Sequence, residues 1–174
     1  MKIEKVKIKI EVDETADQSC LGEFTDELAP GVISTDTWDF LQWQFGEPVD
    51  VPERGRDYRF FRPYAGGEKV GTKNYYKYGK QDAARMAALV RGDWQPVGIT
   101  AEAIVSYPCG GGSSRLETLT SGGLWGVESD CPDYVQEVMA EQLEDLRGHL
   151  QQFGIKTTDE DWTALCEAAI EKVA

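Results

Sequence analysis

Trp94-Gln95-Pro96-Val97-Gly98-Ile99-Thr100-Ala101-Glu102-Ala103-Ile104-Val105-Ser106-Tyr107 is the stretch on which the fold turns. Val97, Ile99, Ala101, Ala103 and Val105 recur at every second position, the period of a strand with one buried face. Pro108-Cys109-Gly110-Gly111-Gly112-Ser113-Ser114 follows as a flexible turn. Arg115 to Thr120 and Leu124 to Glu128 then read as strands, with Gly122-Gly123 marking a bulge or turn between them.

Working outward, Val6, Ile8, Ile10 and Val12 alternate with Lys7, Lys9 and Glu11, so residues 3–12 form a strand. Its lysine side faces water, which suits a sheet edge. On the C-terminal side, Val135, Met139, Leu143, Leu146, Leu150 and Phe153 make one apolar stripe over about five turns of helix. Ser129 or Asp130 caps its start, Pro132 and Asp133 lie in its first turn, and Gly154 ends it. Thr158 opens a last helix bearing Trp162, Leu165, Ala169 and Val173.

The remainder is less regular. Residues 13–36 read mostly as loop, Thr37–Phe45 as a short helix, Tyr58–Arg62 as an aromatic strand, 64–79 as loop and Gln81–Arg91 as an Ala-rich helix closed by Gly92. The sum is an α+β domain. A curled antiparallel β-sheet packs against two or three helices, in one domain over residues 1–174.

The chain's 174 residues suffice for one compact core. No run approaches a membrane span, and Met1-Lys2-Ile3-Glu4-Lys5 lacks the apolar stretch of a signal peptide, so a cytoplasmic protein is expected. Cys20, Cys109, Cys131 and Cys166 are scattered and form no C-x-x-C, so free, partly buried thiols are expected. A Cys109–Cys131 proximity is the main exception to that reading. No cofactor motif emerges, and the cysteines and His149 lack the close ligand pairs of a zinc site.

The net charge of -13 is uneven: residues 1–50 carry -8, residues 51–100 carry +5, and residues 101–174 carry -10. Such asymmetry bears on partners rather than on fold. Two surfaces follow from it. Glu137, Glu141, Glu144 and Asp145 lie largely opposite the apolar stripe of the long helix, with Arg147 as the near cation. This is either an ordinary solvated face or a row of carboxylates that imitates phosphates in a basic channel. Glu128 and Asp130 extend it at the strand-to-helix junction. The second surface is Arg54, Arg56, Arg59, Arg62, Lys73 and Lys77, interleaved with aromatic residues such as Tyr64, Tyr76 and Tyr78. Cations with stacking rings are how single strands are held, although Tyr58 and Phe60 also read as core.

Three smaller signals carry bland readings. Glu128-x-Asp130-x-x-Asp133 has the oxygen donors of a Mg²⁺ or Ca²⁺ site, yet acids there also suit a helix start, which is the reading adopted. Gly110–Ser114 lacks the lysine of a phosphate loop and reads as a hairpin turn. His149 reads as a surface or boundary residue with no nucleophile beside it.

Several segments resemble a family of uncharacterised open reading frames from bacteriophages and mobile elements: Cys20-Leu21-Gly22-Glu23-Phe24, Asp57-Tyr58-Arg59-Phe60-Phe61, Arg91-Gly92-Asp93-Trp94, and Ser121-Gly122-Gly123-Leu124-Trp125-Gly126-Val127-Glu128-Ser129-Asp130. The likeness covers roughly residues 19–154; the Gly110–Ser114 insert and the tail after Ile155 depart from it. It carries no catalytic residue over. It implies a small phage-type protein acting against a host defence system. With the acidic helix, the expectation is a non-enzymatic inhibitor of the anti-CRISPR or anti-restriction type. Its partner would be a basic host protein that handles nucleic acid, in the bacterial cytoplasm. A nucleic-acid-binding accessory protein using residues 54–80 is the alternative. An enzyme working through a carboxylate-bound metal ranks third.

Overall fold

A computed structural model describes residues 1–25, 27, 29–34 and 60–170. The chain forms two compact units, Met1–Ala16 with Gln95–Ala174, and Asp17–Trp94. Both combine helix with open antiparallel sheet, so the α+β class expected from the sequence is the class observed. No helix among the described residues is long and apolar enough to cross a membrane.

The first unit is organised by the long strand read first. Here β5 (Pro96–Cys109) pairs along one edge with β1 (Lys2–Val12), from Lys2 opposite Ser106 to Val12 opposite Val97. Its other edge is shared by β6 (Ser113–Thr120) along the C-terminal half and β7 (Leu124–Glu128) along the N-terminal half. β6 and β7 are thus one interrupted strand, and the interruption is Ser121-Gly122-Gly123. The Ser121 N–H donates to Ala101 O at 2.9 Å. Its hydroxyl accepts from the Ala101 N–H at 2.9 Å, taking the place of a ladder carbonyl. Gly123 has φ +78°, and a Cβ there would lie 2.7 Å from Thr100 Cγ2, so both backbone and space require glycine.

Two helices cover one face of this sheet. Odd-numbered residues of β5 meet Val6 and Ile8 of β1, Val127 of β7, and Val138, Met139, Leu143, Leu146 and Leu150 of α2 (Pro132–Gln152). Trp162 and Ala169 of α3 (Asp159–Ile170) join the same core. Ala101 and Ala103, both fully buried, keep the sheet shallow under the helices. The buried face of β1 stops at Ile8, because Ile10 and Val12 are exposed.

The start of α2 differs from the expected cap, while its end carries the expected Gly154. Cys131 occupies the N-cap and its side chain makes no capping bond; the Ser129 hydroxyl accepts instead from the Gln95 N–H. At the C-terminus, Ile155 N donates to Leu150 O and Gly154 N to Gln151 O, with Gly154 at φ +75°. This is a Schellman motif, and buried Ile155 supplies its apolar contact. The chain turns there, which leaves Phe153 outside the stripe and 58% exposed. Thr158 caps α3 as expected, its hydroxyl oxygen accepting from Asp161 N–H.

In the second unit, β4 (Phe60–Pro63) lies between β2 (Gly22–Thr25) and β3 (Ile33–Ser34). The described part of residues 13–36 is mostly loop, as expected, interrupted by β2 and β3; strands this short show no period, and pairing with β4 defines them. The first helix, α1 (Lys73–Arg91), starts eight residues before the expected Gln81. The Thr72 hydroxyl caps it by accepting from Tyr75 N–H at 3.1 Å. Tyr75 is buried and its hydroxyl donates to Gly31 O, so tertiary contact offsets the modest propensity of Asn74, Tyr75, Tyr76 and Gly79. Thr37–Phe45 lies outside the described residues.

Candidate protein-interaction surface

The acidic face of α2 is built from the other side of the same periodicity that buries its core. At about 100° per residue, Asp133, Glu137, Glu141 and Glu144 fall within an arc about 80° wide, diametrically opposite the buried set. All four are exposed. Asp133 belongs to this row although sequence spacing alone had placed it among the caps. Tyr134, 48% exposed, stands beside it.

Asp145 does not belong to the free row. Its position faces the flank of the helix, where Oδ2 accepts from Gly122 N–H at 2.8 Å. Gln142 Oε1 accepts from the Ser121 hydroxyl and from Gly123 N–H, each at 2.9 Å. His149 Nδ1 lies 3.0 Å from Thr120 O, and its Nε2 lies 3.7 Å from Asp145 Oδ1. Gln142, Asp145 and His149 therefore clamp the break between β6 and β7. His149 is half-buried, a boundary residue with a structural task.

Arg147 stays near Glu144, as expected, but its direct ion pair is made elsewhere. Its guanidinium pairs with Asp159 at the start of α3 and lies 5.8 Å from the Trp162 ring centroid. Hydrogen bonding to Asp159, with the field of Glu144 behind it, raises the Arg147 pKa. Burial first, then Glu144, pushes up the Cys166 thiol. Among the described residues no Lys or Arg forms an ion pair with Glu137, Glu141 or Glu144.

Glu128 is half-buried and Asp130 exposed at the turn leading into α2. Their carboxylates come within 4.8 Å of each other and of the Cys131 sulfur; Cys131, not Asp133, is the third member of the cluster. All four cysteines are free thiols. Cys20 and Cys109 are exposed rather than partly buried.

The basic segment is only partly brought together. Arg54, Arg56 and Arg59 lie outside the described residues. Arg62 on β4 pairs with Glu23 on β2. Lys73 and Lys77 are exposed one turn apart on α1, with Lys77 Nζ 5.5 Å from the Tyr78 ring centroid. Tyr64, Tyr76 and Tyr78 are exposed; Phe61 rather than Phe60 is the fully buried aromatic of β4. The basic middle third shares its unit with acidic residues 17–50. That unit holds ten Lys or Arg against thirteen acids, net -3, while the first unit holds eight against eighteen, net -10. The charge asymmetry of the molecule thus resolves into one strongly acidic unit and one nearly balanced one. Comparison of the chain with protein-family models, with curated proteins and with solved structures finds no match.

Proposed function

We propose that this is a non-enzymatic, acidic binding protein of a phage or mobile element, docking through the outer face of α2 on a cationic host protein that handles nucleic acid. A defence effector fits that description, and blocking it would need only occupation of its basic channel. The observation that carries this reading is the exposed row Asp133, Glu137, Glu141 and Glu144, which forms no ion pair with a Lys or Arg among the described residues. Four carboxylates over about 16 Å of helix stand about 5.5 Å apart along the axis, against about 3.4 Å of axis per phosphate on a single DNA strand. The row is rigid because the opposite face of α2 is locked into the core, so its charges reach a partner already arranged.

The test is capture from a phage-infected or defence-carrying bacterial lysate at low and high salt. The wild-type chain and the Glu137→Lys/Glu141→Lys/Glu144→Lys variant would be compared. A partner retained at low salt, released by salt and lost with charge reversal supports the reading; one retained equally by both chains removes it. The second reading, nucleic acid held by Arg54, Arg56, Arg59, Arg62, Lys73 and Lys77, has support in the exposed Lys73–Lys77 pair beside Tyr76 and Tyr78. A mobility-shift assay with single- and double-stranded DNA and RNA separates the two.

A further inference from the structure

Two faces of the first unit's sheet are occupied differently. The helices cover the face made by odd residues of β5; the opposite face carries Gly98, Thr100 and Glu102. On that open face Trp125 of β7 reaches across β5. A Cβ on Gly98 would lie 2.2, 2.4 and 2.6 Å from Trp125 Cε3, Cζ3 and Cδ2. Near-equal distances to three fused-ring atoms arise only for a point above the ring plane. The indole therefore lies flat on the sheet in the space that glycine leaves. Gly123 closes its edge, since a Cβ there would lie 3.3 Å from Trp125 Nε1. Trp125 is nevertheless 51% exposed, so the ring face turned away from Gly98 is open. Across the sheet, Gly98 is paired with Glu11 of β1, whose carboxylate is 2.7 Å from Lys9 Nζ.

The other two described tryptophans show what chemistry this protein places on an indole. Arg85 lies over Trp94 with 3.8 Å from its guanidinium carbon to the ring centroid, and Arg147 lies over Trp162. Among the described residues, Trp125 is the one tryptophan on which no arginine is stacked. We infer that Trp125, seated on Gly98 with Glu11 paired opposite that glycine, is a docking platform for an arginine side chain of a protein partner. A guanidinium is planar, weakly hydrated and able to stack on an indole while bonding a carboxylate; an ammonium does the second far better than the first. The unit's net charge of -10 favours a cationic peptide over a nucleobase at this ring. The inference rests on the cationic partner proposed above, but it uses the sheet face opposite α2, so the two surfaces stand or fall separately.

The test follows the indole N–H signal of Trp125 in a ¹H–¹⁵N spectrum of the full chain, identified by its loss in Trp125→Phe. Hexa-arginine amide, hexa-lysine amide and a short oligothymidylate are titrated at equal ionic strength. Hexa-arginine is expected to move the signal saturably, with an apparent affinity about threefold or more above hexa-lysine. Glu11→Gln weakens that response, and Glu137→Gln/Glu141→Gln/Glu144→Gln leaves it in place. Gly98→Ala, which drives the ring off the sheet, removes the preference for arginine while the rest of the spectrum reports whether the chain stays folded. The platform is refuted by an unmoved Trp125 signal, by equal response to both peptides, by a response to oligothymidylate alone, or by loss of the response when the α2 carboxylates are neutralised. The last outcome would keep the acidic helix and discard the platform; an unmoved signal beside binding that the α2 variant abolishes would do the same.

Discussion

The two long helices carry charge rows of the same spacing and opposite sign. Lys73, Lys77 and Lys80 recur at i, i+4 and i+7 on α1; Glu137, Glu141 and Glu144 do so on α2. They end alike as well, since Gly92 N donates to Leu89 O and Asp93 N to Ala88 O, the pattern seen at Gly154 and Ile155. What differs is the face behind each row. Behind the glutamates stand Leu143, Leu146 and Leu150, large side chains filling space against a broad sheet. The buried residues of α1 are Tyr75, Gly79, Ala83 and Ala87, three of them small, and Gly79 lets the helix close on Pro63 and Ile33. One helix is held by volume, the other by close approach. The α2 row also sits on a unit of net charge -10, whereas the α1 row sits on a unit whose own acids nearly neutralise it.

Substitutions separate these two kinds of support. The largest effect is expected at Leu146, fully buried under α2. Leu146→Ala should destabilise the first unit by roughly 2–5 kcal/mol, measured by denaturant unfolding. Next comes the glycine contrast. Gly→Ala inside a helix ordinarily stabilises by about 1 kcal/mol, and Gly148 of α2 meets nothing within 4 Å of an added Cβ, so Gly148→Ala should raise stability by about that amount. On α1, a Cβ at Gly79 would stand 2.8 Å from Pro63 Cγ and 3.0 Å from Ile33 Cδ1. Gly79→Ala should therefore destabilise, by about 1–3 kcal/mol of overpacking. Equal signs for the two substitutions would break the comparison.

Ser121→Ala probes the clamp on the β6–β7 break. It strips the acceptor from the buried Ala101 N–H and the donor from Gln142, at a cost of about 1–3 kcal/mol. Asp82 of α1 gives the smallest effect. Burial raises its pKa above the ordinary 3.8, and the Ala65 N–H that it accepts opposes part of that rise. A carboxyl whose folded pKa is raised favours folding most when protonated. Its contribution is full below its unfolded value and is lost as the pH rises through the folded one. Asp82→Asn keeps an acceptor for Ala65 and removes the charge. The variant's melting temperature should exceed that of the parent at pH 7 and approach it near pH 4.

How much of this was legible follows from the same contrast. The strand at 96–109 could be read to within two residues at each end, Pro108 and Cys109 joining it rather than the expected turn, and the helix at 132–152 about as closely, because each repeats one period for ten or more residues against one large core. The start of α1 could not, since Tyr75 and Gly79 favour helix only once Gly31, Ile33 and Pro63 surround them. The carboxylates of α2 were visible as a face, but Asp145 looked like its neighbours. Only the sheet break at Gly122 distinguishes it. Arg147 could be read as the cation near this face, but not its ion pair with Asp159, which lies on the next helix. Trp125 stood in plain view in Leu124-Trp125-Gly126, yet its posture depends on Gly98, which is far away in the chain.

The central claim, that the outer carboxylates of α2 grip a cationic macromolecule, is tested most directly by partner affinity as a function of salt. The parent and the Glu137→Lys/Glu141→Lys/Glu144→Lys chain would be titrated side by side against the captured partner. A steep loss of parental affinity with rising salt, and a much weaker, flatter response from the reversed chain, is the predicted result. Overlapping curves from the two chains would contradict it.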